Sequence, residues 1–98
     1  MEKTKPHHQL DDVKRLVTAG EVIVSVTALR GADALGLTLK DVIDVVLLLD
    51  RSDFYKSMTS YSDHQSWQDV YRPLVVGVRV YLKLTIRDGV VVLSFKEL

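Results

Sequence analysis

The stretch VRVYLKLTIRDGVVVLSFKEL, residues 78–98, alternates in character with a period of two on both sides of Asp88-Gly89. That period belongs to a strand with one face buried, and Asp-Gly is the dipeptide that favours a two-residue type I′ turn. The stretch therefore reads as a β-hairpin. With Asp88 and Gly89 as the loop, Arg87 pairs with Val90, Thr85 with Val92, Lys83 with Ser94 and Tyr81 with Lys96. One face then carries Val78, Val80, Leu82, Leu84 and Ile86 beside Val91, Leu93 and Phe95, all apolar and suited to a core. The opposite face carries Arg79, Tyr81, Lys83, Thr85 and Arg87 beside Val90, Val92, Ser94 and Lys96. It sets a phenol across from an ammonium, with Cβ atoms ~4.5–5.5 Å apart for such a pair.

Working back from the hairpin, DFYKSMTSYSDHQSWQDVY and its continuation RPLVV, residues 53–76, are expected to supply further antiparallel strands. Pro73 belongs near a strand end and Gly77 at a turn or bulge. Ahead of them the period changes. In QLDDVKRLVTAG, Leu10, Val13, Leu16 and Val17 fall at helical spacing with Gly20 as a stop, which predicts a first helix over about residues 9–19. EVIVSV is short and β-branched, as a strand would be. TALRGADALG predicts a short second helix ended by Gly36, with Gly31 an unfavourable interior residue. TLKD at 38–41 has the form of a capping box, and Val42, Val45, Val46 and Leu49 continue it as a third helix to about Asp50. The expected fold is α+β, with N-terminal helices packed on one face of a C-terminal antiparallel sheet. Residues 1–98 are expected to form one domain.

Composition narrows the chemistry. The chain is 47% hydrophobic and 27% charged, ordinary for a globular protein. With no cysteine, disulfides, thiol catalysis and cysteine-based metal sites are excluded. The start lacks an apolar signal region, and the longest apolar run, VVLLL at 45–49, is far short of a membrane span, so a cytoplasmic location is the default expectation. Net charge is zero, which argues against a surface that grips polyanions everywhere. The halves differ: residues 1–50 hold six Lys/Arg and eight Asp/Glu, residues 51–98 seven and five. A local cationic site fits the second half.

On pattern alone, Tyr81, Lys83 and Lys96 on a solvent-side face mean no more than a solvated surface. His64 lacks companions for a metal site, and His7 and His8 fall where terminal disorder is the usual expectation. No G-x-S-x-G or S-x-x-K pattern surrounds Ser57, Ser60, Ser62 or Ser66. Tyr55, Tyr61, Trp67 and Tyr71 could either stack on single-stranded RNA bases or plug the core, and periodicity leaves both open.

The residues resemble a known family. SDFYKSMTSYSDHQSWQDVYRP at 52–73, VYLKLT at 80–85 and SFKE at 94–97 are similar to segments of the motility quorum-sensing regulator toxins. The likeness extends to HHQLDDVKRLV and ADALGL and so covers essentially the whole chain. It implies a type II toxin–antitoxin toxin with a fold similar to the RelE and YoeB toxins. It also implies a ribosome-independent endoribonuclease that cuts single-stranded mRNA at a short GC-containing triplet without a cofactor. The implied partner is a zinc-containing, DNA-binding antitoxin. The positions matching the family's active site are Lys56, Gln68, Tyr81 and Lys96, with no metal ligand among them.

Cleaving RNA without a metal requires a base for the 2′-OH, cations for the phosphorane and an acid for the departing 5′-oxygen. An isolated phenol or ammonium has a pKa of about 10, and clustered cations would lower such values. Tyr81 or Lys56 is then the expected base, Lys96 the phosphate stabiliser or acid, and Gln68 the residue that positions the nucleotide. Arg72, Arg79 and Lys83 are candidates for phosphate contact. The apolar Leu74, Val75 and Val76 are expected to cover part of the core or to offer an edge to the antitoxin. The competing expectation is a catalytically silent module that binds RNA or an antitoxin on the same fold.

Overall fold

The computed structural model describes residues 1–62 and 65–98, so the expectation for His64 lies outside the described residues. The chain runs β1 (Glu2–Lys3), α1 (Leu10–Thr18), β2 (Val22–Val24), α2 (Val26–Ala34) and α3 (Leu39–Leu48). A 3-10 turn over Arg51–Asp53 leads into β3 (Phe54–Thr59), β4 (Trp67–Tyr71), β5 (Leu74–Val75), β6 (Val78–Ile86) and β7 (Val90–Glu97). The strands lie in the order β1-β3-β4-β6-β7-β2, with β5 folded onto β6. This is the α+β arrangement expected from the sequence. One pair departs from an antiparallel sheet: β2 lies parallel to β7, matching Val22 to Val90 and Val24 to Val92.

Each helix starts where its residues supply a cap. Ser25 accepts from the Ala28 N–H at 3.0 Å and donates to the Leu93 carbonyl at 3.0 Å, so it begins α2 and ties it to β7. Thr38 and Asp41 close the capping box of α3 in both directions. The apolar stripes of the helices meet the sheet through Val13, Val17, Ala28, Ala32, Val42 and Val46, all buried against Val80, Leu82, Leu84, Val90, Val92 and Phe95. Gly31 is what lets α2 come so close. A Cβ there would lie 1.7 Å from the Phe95 carbonyl oxygen.

The hairpin corrects part of the expected register. Asp88 and Gly89 take φ of 55° and 140° at the turn, but Ile86 pairs with Val90, Thr85 with Val91 and Leu84 with Val92. Arg87 thus joins the loop, and the expected pairs Arg87–Val90 and Thr85–Val92 do not form. Leu93 is the extra residue of a bulge, beyond which Lys83 faces Ser94 and Tyr81 faces Lys96 as expected. Moving by one residue exchanges faces, so Val90 and Val92 are fully buried while Val91 and Leu93 are half-buried. The cause is tertiary: β2 claims this end of β7, with Val90 N–H donating to the Glu21 carbonyl at 2.9 Å.

The apolar segment after Pro73 turns back at Val76 and Gly77, with φ of 49° and 77°. Val75 packs against the core while Leu74 and Val76 stay exposed. Among the described residues no helix is long and apolar enough to cross a membrane.

Candidate active site

The sheet face away from the helices is built by β3, β4, β6 and β7. Val70 on β4 pairs with Lys56 on one side and with Lys83 on the other, and Lys83 in turn pairs with Ser94. One cross-strand row therefore carries two lysines around a buried valine. Tyr81 and Lys96 pair in the adjoining row, with the Lys96 Nζ 5.3 Å from the phenol ring centroid. Gln68 lies two residues before Val70 on the same face, opposite Met58, and is only 8% exposed. The structure thus gathers Lys56, Tyr81, Lys83 and Lys96 on one face, with Gln68 at its more closed end.

The electrostatics are uneven across the cluster. Lys56 Nζ donates to the Glu2 carboxylate at 2.8 Å, which raises the ammonium's pKa and lowers that of the Glu2 carboxyl. The expectation that clustering makes Lys56 a better base fails for that reason. Lys83 follows it: partial burial, and then the charge of Lys96, lower its pKa. Among the neighbouring phenols, burial pushes Tyr71 up to about 12, and its hydroxyl is enclosed without a partner among the described residues. Tyr71 belongs to the core.

Arg72 and Arg79 lie at the other margin. The Arg72 guanidinium stacks 3.6 Å from the Tyr55 ring centroid, and Arg79 Nη1 donates to the Arg72 carbonyl at 2.9 Å. With Tyr55 they line one groove beside Lys56.

The N-terminal segment is ordered onto the sheet, contrary to the expectation for His7 and His8. The backbone N–H groups of both histidines donate to the wholly buried Asp69 carboxylate at 2.9 Å each. His7 stacks on Trp67 at 5.5 Å, and Lys3 Nζ lies 4.1 Å from the same ring. Desolvation, followed by the charge of Lys3, lowers the His7 pKa. The terminal ammonium donates to Thr59 Oγ1 at 3.0 Å. Glu2 was not legible as a site residue because a two-residue strand has no periodicity. The only sequence sign of this strap was an acidic residue among the basic and histidine residues of 1–8.

A phenol and several ammonium groups thus share an open sheet face backed by helices, the layout of a small α+β protein with a local cationic site. Comparison with known proteins places it more narrowly. The family model for the motility quorum-sensing regulator, toxin of MqsA, matches residues 5–97. The chain is also 54% identical over 97 residues to the mRNA interferase toxin MqsR of Escherichia coli (strain K12), covering 99% of each chain. It belongs to the motility quorum-sensing regulator toxin family.

Proposed function

We propose that this chain is the mRNA interferase toxin of a type II toxin–antitoxin pair, with residues 1–98 acting as one endoribonuclease domain. The observation that carries the proposal is the pairing of Tyr81 with Lys96 beside Lys56 and Lys83, all on one accessible face. Its extensive identity to a protein named as an mRNA interferase supports the same reading. The substrate is single-stranded mRNA cut at a short GC-containing triplet, independently of the ribosome, and its cleavage stops translation and growth. The partner is an antitoxin corresponding to the MqsA named in the family description, zinc-containing and DNA-binding.

The reaction is an internal transesterification. Tyr81, reacting as the tyrosinate, takes the 2′-OH proton, the 2′-oxygen bonds to phosphorus, and the bond from phosphorus to the 5′-oxygen breaks. Lys56, kept protonated by Glu2, is poorly suited to act as the base and well suited to stabilise the phosphorane. Lys96 supplies the proton to the departing 5′-oxygen, and Gln68 orients the nucleotide. Lys83 adds charge beside the phosphate. The products are a 2′,3′-cyclic phosphate and a 5′-hydroxyl.

Cleavage of a short defined RNA in EDTA tests this directly. Wild type is expected to cut, and Tyr81→Phe to cut at least about 100-fold more slowly, as befits loss of a proton-transfer group. Equal rates would remove the phenol from the mechanism. A wild type that arrests no growth and leaves RNA whole would point instead to a silent binding module.

A further inference from the structure

Three tyrosines and a tryptophan join Phe54 in the polar stretch 53–71, and the structure separates these four. Tyr71 is 1% exposed and meets Phe54 edge-on in the core. Trp67 has His7 stacked on it at an interplanar angle of 16° and the Lys3 ammonium over the ring. Neither offers a free ring to a base. Tyr61 is wholly exposed beyond the end of β3.

Tyr55 differs from all three. It is the extra residue of a bulge in β3, where Phe54 pairs with Tyr71 and Lys56 with Val70. A bulge re-aims a side chain that a regular strand would send elsewhere. Here the ring centroid lies 5.4 Å from the Lys56 Nζ, beside the ammonium assigned above to the phosphorane. It remains 43% exposed. The Arg72 guanidinium backs the ring at 3.6 Å, so the phenol is already held flat by a cation–π stack. Arg79 adjoins Arg72 in the same groove, and its other N–H groups can serve a phosphate. Among the described lining residues the Asp53 carboxylate is engaged by the Asp50 N–H at 2.8 Å, and Leu98 brings the terminal carboxyl group to the same groove. An exposed ring backed by a cation and flanked by another fits an unpaired nucleotide, whose base offers a π-face and whose phosphate carries charge.

We infer that Tyr55, backed by Arg72, is the stacking shelf for one base flanking the scissile phosphate, with Arg79 holding that nucleotide's phosphate. The inference rests on the reading of the chain as an RNA-cutting toxin. Tyr55 contributes binding and choice of sequence, not proton transfer. It gives the family's cleft a second subsite in addition to the lysine and tyrosine cluster.

The test uses initial-rate kinetics on a short RNA containing one cleavage site, with an abasic nucleotide placed in turn at each of the positions flanking the cut. Tyr55→Phe keeps the ring and is expected to behave as wild type. Tyr55→Leu keeps bulk without a π-face and is expected to raise KM about tenfold with little change in kcat, the usual worth of one stacked base. For wild type, an abasic residue at one flanking position raises KM by the same factor. For Tyr55→Leu, the same abasic residue has no further effect, which identifies the position that the ring reads. If Tyr55→Leu and wild type lose equally at every abasic position, or if KM is unchanged in Tyr55→Leu, the shelf is refuted while the toxin reading stands. If wild type cuts no RNA at all, both fall. Thermal unfolding of each variant guards against a folding defect, and matching kcat values provide a second check.

Discussion

The Lys56 ammonium meets the Glu2 carboxylate at 2.8 Å, and the two side chains are unequally exposed, 25% and 61%. A contact of that kind contributes little to stability, since water and salt screen its outer half. Its effect falls on the site. On the proposed reading an RNA phosphate approaching Lys56 has to replace Glu2, and until it does a negative charge stands at the mouth of a cationic cleft. Glu2→Gln is therefore expected to lower KM for RNA about two- to fivefold at low ionic strength, with the gain fading as salt rises. Kinetics at two salt concentrations check this, and an unchanged KM would mean that Glu2 moves aside at no cost. Among the candidate site residues, the Tyr81–Lys96 pair was legible from strand alternation and the turn signal, and it survives the shifted tip because the bulge at Leu93 restores the register. Glu2 and Asp69 were not, because their partners lie more than fifty residues away in sequence.

At the scale of elements, α2 shows how one atom sets a layer. Its interior glycine looks like a defect in the sequence, where Gly costs a helix about 1 kcal/mol relative to Ala. In the fold it is the point at which helix and strand backbones touch, with the Phe95 carbonyl where a Cβ would be. Gly31→Ala should gain helix propensity yet lose about 3 kcal/mol of stability by forcing α2 off β7. Urea unfolding checks it, and a variant as stable as wild type would show that the layers can part without cost. The capping box of α3 and the stop glycines were readable because they are local chemistry. The parallel β2–β7 pair and the bulge at Leu93 were not, since both arise from a partner strand some seventy residues distant. The alternation of 78–98 correctly identified a hairpin and misassigned its tip for that reason.

Across the whole molecule, neutrality and a cationic site are compatible because the charges are sorted by position. The helical half carries the acidic excess and the sheet half the basic one. The sheet also joins parts of unequal security. Tyr81 and Lys96 stand on β6 and β7, in the interior of the strand order, where β7 is flanked by β2 and backed by α2. Lys56 stands on β3, whose outer neighbour is only the two-residue β1, held by Met1, Lys3, His7 and His8. Local opening is expected to be cheap at such an edge and to approach the global cost in the middle. Warming should therefore switch the enzyme off before it unfolds: cutting fades while far-ultraviolet dichroism still reports a native fold. The amides of β3 should exchange hydrogen well ahead of those of β6 and β7. Coincident loss of activity and of dichroism would count against it. A toxin so arranged is expected to lose its site first through its first eight residues, as a fuse would, with the rest of the sheet still folded.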